Sequence, residues 1–314
     1  MSIRQTLHVV ICVIVSLTLA SIATRYIHPH WLVATLHSLQ LHAAAGCIVA
    51  MLVALVLYRS MIGYLILIAA VLLTGHALWM TREFVSMASD ADYAAPTFRL
   101  MSYNILDDNY SNSEAITRAI AASGADVVNV MEAEPLVPHL QELAKTYPYR
   151  IGCGVMVEDC DQLMLSKTPL ENGSIRSLSV LFENRFILAD VTIRGEKIHV
   201  AGIHTTKPYF DDFHALELVH AALAITDLDG PLVLSGDFNA SSLEPDMRTF
   251  LRWTKLKTAD WEPATWPVEL GGLGMAIDHI YLRDPLKFRS IRALPSSLGS
   301  NHDGLIADIA ITRR

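Results

Sequence analysis

The sequence predicts an α/β domain over roughly its last two thirds, behind an N-terminal membrane anchor of about three helices. Three apolar stretches crowd the first 80 residues, and short β-rich runs alternate with amphipathic helical ones from residue 97 onward. Charge is also divided unevenly. Of 24 basic and 32 acidic side chains, residues 1–94 hold only Arg4, Arg25, Arg59 and Arg82, with Glu83, Asp90 and Asp92. The remaining 20 and 29 give residues 95–314 a formal balance of −9. A hydrophobic fraction of 52% is too high for an ordinary soluble enzyme.

The apolar stretches run from Leu7 to Ala23, Leu39 to Tyr58 and Met61 to Met80, and none contains Asp, Glu, Lys or Arg. Each is close to the roughly 20 residues that cross a bilayer as helix. A buried helical core is the alternative for all three. A cleavable signal peptide is a rival for the first, where Arg4 precedes the apolar run and Ser21, Ile22 and Ala23 follow. His28, Pro29, His30 and Trp31 read as an interfacial loop with an aromatic anchor rather than a metal site. Arg4 and Arg59 fall on one side of a three-span bundle and Arg25 and Arg82 on the other, so charge leaves the orientation open. Cys12 and Cys47 lie inside spans as small hydrophobes. Cys153 and Cys160, in IGCGVMVEDCDQ, suit a hairpin or loop closed by a disulfide, with free thiols or a partial metal site as alternatives. A disulfide would place the domain outside the cytoplasm. The expected divisions are an anchor over 1–80, a linker of small and polar residues over 81–96, and the domain over 97–314.

Within the domain, strands are expected at 98–105, 126–132, 185–193, 197–204, 231–239, 277–282 and 304–311, and helices near 113–123, 137–146 and 212–226. Nearly every apolar strand ends in a residue able to bind a metal or handle phosphate. Asn104 closes LMSYN, Glu132 closes VVNVME, His204 closes HVAGIH, Asp237 and Asn239 close LVLSGDFN, and Asp278 with His279 opens IDHIYL. Asn301, His302 and Asp303 precede the last strand. Strand ends and the loops after them are where sites are assembled on a rigid frame. Carboxylates and amides are oxygen donors suited to Mg²⁺, and a histidine beside a carboxylate can move a proton. Each residue alone has a plain reading as a turn former or a hydrogen-bonded histidine. Their joint order carries the inference.

In order and spacing, MSYNI, DVVNVMEAEP, GIHTTKP, LSGDFNA, AIDHIYL and SNHDG resemble the successive motifs of the endonuclease/exonuclease/phosphatase family. The resemblance runs from about Phe98 to Ile311, and GDFN is its most diagnostic piece. It implies a four-layer α/β/β/α sandwich with the site at one rim, and a hydrolase cleaving phosphoesters by in-line attack of water. It further implies Glu132 as principal ligand of Mg²⁺, or of Mn²⁺, with Asn104 beside it. His302 would be the general base, oriented by Asp278. His204 would stabilise charge on the phosphoryl oxygens, Asp237 and Asn239 would position water and phosphate, and Arg185 would support the site. One position departs from the family pattern: Ser300-Asn301-His302 stands where Ser-Asp-His is common. Asn301 would offer the metal a neutral amide in place of a carboxylate. Asp303 points to the other side of an extended segment and is a poor substitute.

Substrate is less legible. A grip on long nucleic acid calls for a basic face. The domain is acidic instead, and Arg248, Arg252, Lys255 and Lys257 at helical spacing read as a solvated face. Trp253, Trp261 and Trp266 lie in a loop-rich stretch, where substrate wall, membrane contact and plain packing all remain open. A membrane partner raises the weight of lipid headgroups and small phosphodiesters, with a bacterial inner membrane and an extracytoplasmic domain as the expected location. A membrane-tethered nuclease and a catalytically silent phospho-ligand or partner-binding domain are the rival functions. Spans without intramembrane charge argue against a transporter.

Overall fold

The N-terminal region folds as α1 (Ile3–Ala23), α2 (Ala34–Ser38), α3 (Gln40–Leu57) and α4 (Met61–Met80) in a computed structural model that describes residues 2–312. Three of these helices are long and apolar enough to cross a membrane. They pack through Cys12, Val15 and Leu19 of α1, Met51 and Ala54 of α3, and Ala70 of α4. Val13, Leu17, Val56, Leu65 and Leu72 stay exposed on the outside of this bundle. Helices apolar on every side are stable in lipid and poorly stable in water. The first begins at Ile3, earlier than the apolar run, because Ser2 and Gln5 form a reciprocal capping box.

The domain continues with β1 (Thr97–Asn104), α5 (Ser113–Ala122), β2 (Val127–Met131), α6 (Leu140–Leu143), β3 (Tyr149–Ile151), β4 (Gln162–Ser166) and β5 (Glu171–Arg176). There follow β6 (Phe186–Ile193), β7 (Glu196–His204), α7 (Phe213–Ile225), β8 (Leu232–Asp237), α8 (Pro245–Thr254), β9 (Asp278–Arg283), β10 (Leu286–Ala293) and β11 (Leu305–Ile311). One sheet has the order β10-β11-β1-β2-β4-β3 and the other β5-β6-β7-β8-β9. Each contains one parallel pair, β1 with β2 and β7 with β8.

The four layers follow from strands that are apolar on both faces. In β1, Phe98 and Leu100 enter the core between the sheets, while Met101 and Tyr103 pack outward with Ile116 and Ile120 of α5. In β6, Ile187, Ala189 and Val191 enter the same central core, while Phe186 and Leu188 face Leu218 and Ala222 of α7 and Met247 and Phe250 of α8. The α/β/β/α sandwich is therefore the observed fold.

Several local expectations change. The helix expected at 137–146 is a 3-10 turn, Glu134–His139, followed by the four-residue α6, because Pro135 and Pro138 remove backbone donors. The strands β3, β4, β5 and β10 were not foreseen; β5 is a half-exposed, polar edge. Trp253 lies on α8 rather than in a loop. Residues 81–96 run along the domain: Ser86 donates to Thr258 (3.0 Å), Ala88 to Phe288 (2.7 Å), and Phe84 is buried with the α7/α8 layer.

The N-terminal helices and the domain meet at a polar seam. Arg25 donates to the carbonyl of Leu243 (2.7 Å) and to Gln40. The Ser241 amide and hydroxyl both bond to Ser38, at 3.2 and 3.0 Å. Arg248 is not on a solvated face. It is 3% exposed, donates to the Met80 carbonyl at the end of α4 (3.1 Å), and pairs with Glu83, which Arg252 also holds. Helical spacing hides this, since its partners come from the other end of the sequence.

Candidate active site

At one rim of the sandwich, backbone register brings the strand-end residues together. His204 lies opposite Asp237, and Asp237 opposite Asp278, in one row across β7, β8 and β9. Asn104 ends β1 opposite Met131, so Glu132 follows directly at the end of β2. Gly236 is required immediately before Asp237: its φ is +152°, and a Cβ would lie 1.8 Å from the Ile203 carbonyl oxygen. Glu132 and Asn239 themselves have φ of +55° and +50°, in the left-handed region that non-glycine residues seldom occupy.

Asp237 is the centre of the arrangement. Its Oδ2 accepts from Asn104 Nδ2 (3.1 Å) and lies 3.8 Å from His302 Nε2 and 3.9 Å from His204 Nε2. Each imidazole is turned by a carboxylate behind it. His302 Nδ1 bonds to Asp278 (2.8 Å), and His204 Nδ1 to Asp161 (3.0 Å), which Arg185 holds in turn (2.7 Å). Asn104 also donates to Glu132 Oε1 (2.9 Å), while the Asp107 amide donates to Oε2 (2.8 Å). Asn239 donates to the Thr205 carbonyl and takes its place beside Asp237 through its own amide. Ser300 ties the last loop to Asn104 and to the His302 amide. Glu132, His204, Asp237, Asn239, Asn301 and His302 line one cavity of about 590 Å³. The eight residues given site roles in the sequence thus gather here, with Asn301 exposed at the surface and the others buried or half-buried, while His279 turns its ring to Glu262 and the Ala240 carbonyl.

The site carries an excess of negative charge. Burial opposes ionisation of Asp237, and Asp278 raises its carboxyl further, against the pull of His302 and His204. Asp107 is raised by burial and then by Glu132 and Asp161. Burial works against a charged His302, yet Asp278 and Asp237 outweigh it and lift the imidazole to about 9. Burial also opposes the charge of Asp161, but His204 and Arg185 hold that carboxyl below its ordinary value. Asp278 Oδ1 is buried without a partner. Crowded hard oxygens with an orphaned acceptor fit a divalent cation.

Sequence reasoning missed Asp161 and Thr265, whose hydroxyl receives the Ile277 and Asp278 amides. Asp161 follows Cys160 directly and precedes the unforeseen β4. Cys153 and Cys160 form a disulfide, with Cα atoms 4.3 Å apart, closing the loop that delivers it. The cavity wall also includes Trp266, Lys207 and Tyr209, and Thr35 and Ser38 from the N-terminal helical region.

The model of the Endonuclease/Exonuclease/phosphatase family matches residues 101–302, which contain the whole site. The chain belongs to that family. Members of the endonuclease/exonuclease/phosphatase family are metal-dependent hydrolases and nucleases acting on phosphoesters, and this protein is an enzyme of that class. No curated protein matches the chain. Among solved structures, an endonuclease/exonuclease/phosphatase from Beutenbergia cavernae is similar at 16% identity and TM-score 0.54, covering 68% of this chain and 72% of that one. The human Nocturnin catalytic domain with bound sulfate is similar at 20% identity and TM-score 0.55, covering 73% and 97%. A Staphylococcus aureus beta toxin variant with bound magnesium ions is similar at 15% identity and TM-score 0.52, covering 69% and 100%. At these identities the likeness is one of fold.

Proposed function

We propose that the protein is a membrane-anchored, Mg²⁺-dependent phosphoesterase whose domain faces an oxidising compartment outside the cytoplasm, as on the outer side of a bacterial inner membrane. The observation that carries the chemistry is Asp237 flanked by two carboxylate-oriented imidazoles, with Glu132 on the same cavity wall. The helices of the anchor support the membrane placement, and the Cys153–Cys160 disulfide supports the compartment.

Two carboxylate sets compete for the cation. Ligand atoms of Asp237, Asp278 and His302 lie within 4.8 Å of one another. His302 and Asp278 are already bonded to each other and buried, which suits a proton relay. Glu132 is half-buried on the open cavity, so it would hold the ion, with Asn301 adding an amide oxygen; Asn104, expected as a further ligand, turns its Nδ2 toward Glu132 and Asp237 and its Oδ1 toward the Leu106 amide, so it steadies the carboxylates instead. Bound there, Mg²⁺, or Mn²⁺ in its place, would supply Lewis-acid polarisation of the phosphoryl group. In its neutral form His302 would take a proton from the attacking water at Nε2. Asp278 fixes the ring so that this nitrogen points at Asp237. Asp237 and Asn239 orient the water and phosphate, and His204, steadied by Asp161, donates to a phosphoryl oxygen on the opposite side.

The test is hydrolysis of bis(p-nitrophenyl) phosphate and p-nitrophenyl phosphate by the detergent-solubilised chain with Mg²⁺, Mn²⁺ or chelator. Metal-dependent turnover is expected, falling about 10²–10⁴-fold in His302→Ala and at least as far in Glu132→Gln. Absence of metal-dependent turnover in a folded chain sinks the reading.

A further inference from the structure

Beside the catalytic cavity lies a second one of about 660 Å³, where the anchor meets the domain. Its walls include Leu41 and Ala45 of α3, Leu78 and Trp79 of α4, and Leu243 and Met275 of the domain. Ser38 and Met275 line both cavities. The two spaces therefore share a wall, and part of that wall comes from the segment between the first two spans. Hydrogen bonds between Ser241 and Ser38 hold it in place.

The two chambers differ in chemistry. One is lined by Glu132, His204, Asp237 and His302; the other is mostly apolar. The apolar chamber touches the beginning of α3 and the end of α4, where spans emerge from hydrocarbon. Apolar side chains are exposed beside it as well: Trp261, on its wall, is 74% exposed, and Leu273, next to the wall residue Gly272, is 73% exposed. Exposed aromatic and apolar groups at that level suit the bilayer interface.

Resting on the phosphoesterase reading above, we propose that the substrate is a bilayer-resident lipid phosphoester. Its acyl chain occupies the apolar chamber, and its phosphoester reaches the catalytic cavity past Ser38 and Met275. A water oxygen bonds to phosphorus, one P–O ester bond breaks, and the departing oxygen leaves protonated as an alcohol. The anchor is then part of the substrate cleft as well as a tether.

The experiment uses the full chain in non-ionic detergent micelles with p-nitrophenyl alkyl phosphodiesters, methyl to hexadecyl, at fixed mole fraction. In the wild type kcat/KM is expected to rise with each methylene that enters the chamber, by at most about fourfold, because part of the chain's transfer out of water is already made in the micelle, then level off. Ala45→Phe and, independently, Ala264→Leu, at another position on the chamber wall, shrink the chamber and should flatten the rise while leaving turnover of the methyl ester unchanged. A flat wild-type series with good methyl-ester turnover overturns this proposal and leaves the hydrolase reading intact. A rise retained in a folded variant also overturns it. No turnover of any ester would remove the hydrolase reading and this proposal together. If neither variant folds, the wild-type series decides alone.

Discussion

The rim that carries the candidate site and the seam between the N-terminal helices and the domain both bury charge, and they do so in opposite ways. At the seam each buried cation has an acceptor: Arg248 meets Glu83 and the Met80 carbonyl, and Arg25 meets the Leu243 carbonyl and Gln40. At the rim acids press on acids. Burial first and neighbouring carboxylates second raise Asp107, Asp237 and Asp303, and Asp278 Oδ1 has no partner. Desolvated charge is costly unless it is paired. A region whose charges are internally matched fixes geometry, while one left unmatched has affinity in reserve for a ligand of opposite sign.

The comparison breaks most visibly if the seam is cut. Arg248→Met is expected to cost about 3 kcal/mol, since it strands the Met80 carbonyl and half of the Glu83 pairing. Unfolding of the detergent-solubilised chain by chaotrope measures this loss, and turnover of a small soluble diester per folded molecule should be retained. Equal loss of both would mean that seam and rim are one unit.

Glu244 is the seam's exception and sharpens the contrast. It caps α8, accepting from the Asp246 and Met247 amides, and burial, with Asp246 adding to it, raises its carboxyl to about 8. A carboxyl raised on folding contributes stability that is full below its unfolded value of 4.5 and lost as pH climbs through 8. Glu244→Gln removes the ionisable group, so its advantage over wild type should grow by roughly 1–3 kcal/mol between pH 5 and about 9. Melting curves across that range check it; a constant difference would show the group is already ionised when folded.

The smallest expected effect is at the rim. Asn301→Asp should lower the Mg²⁺ concentration for half-maximal turnover by about threefold to tenfold, because the exposed cavity mouth gains a carboxylate. An unchanged metal titration would place Asn301 outside the ion's reach.

The frame and most of the rim were legible because the candidate site residues sit where strands end. Asn104, Glu132, His204 and Asp237 follow apolar runs whose period marks them as strands, and their order along the chain is informative before any contact is known. Asp161 was not legible, since it precedes a strand that follows an irregular loop, and a lone Asp there reads as a turn former. Arg248 was misplaced because Met80 and Glu83, more than 160 positions earlier, make its burial tolerable. Thr35 and Ser38 carried no signal for the same reason: the other residues of the cavity are at least 68 positions away in sequence, and a small hydroxyl between two apolar helices has many ordinary uses.

The row of His204, Asp237 and Asp278 has one more consequence. Neighbouring strands stand about 4.8 Å apart whatever their side chains. The sheet is therefore a ruler, and spacing across the rim is inherited from backbone hydrogen bonds rather than from the particular hydrophobic residues beneath. Interior side chains can be exchanged over generations while the markings on the ruler stay put. That is how a chain sharing 16% of its residues with the Beutenbergia cavernae protein can keep the same frame.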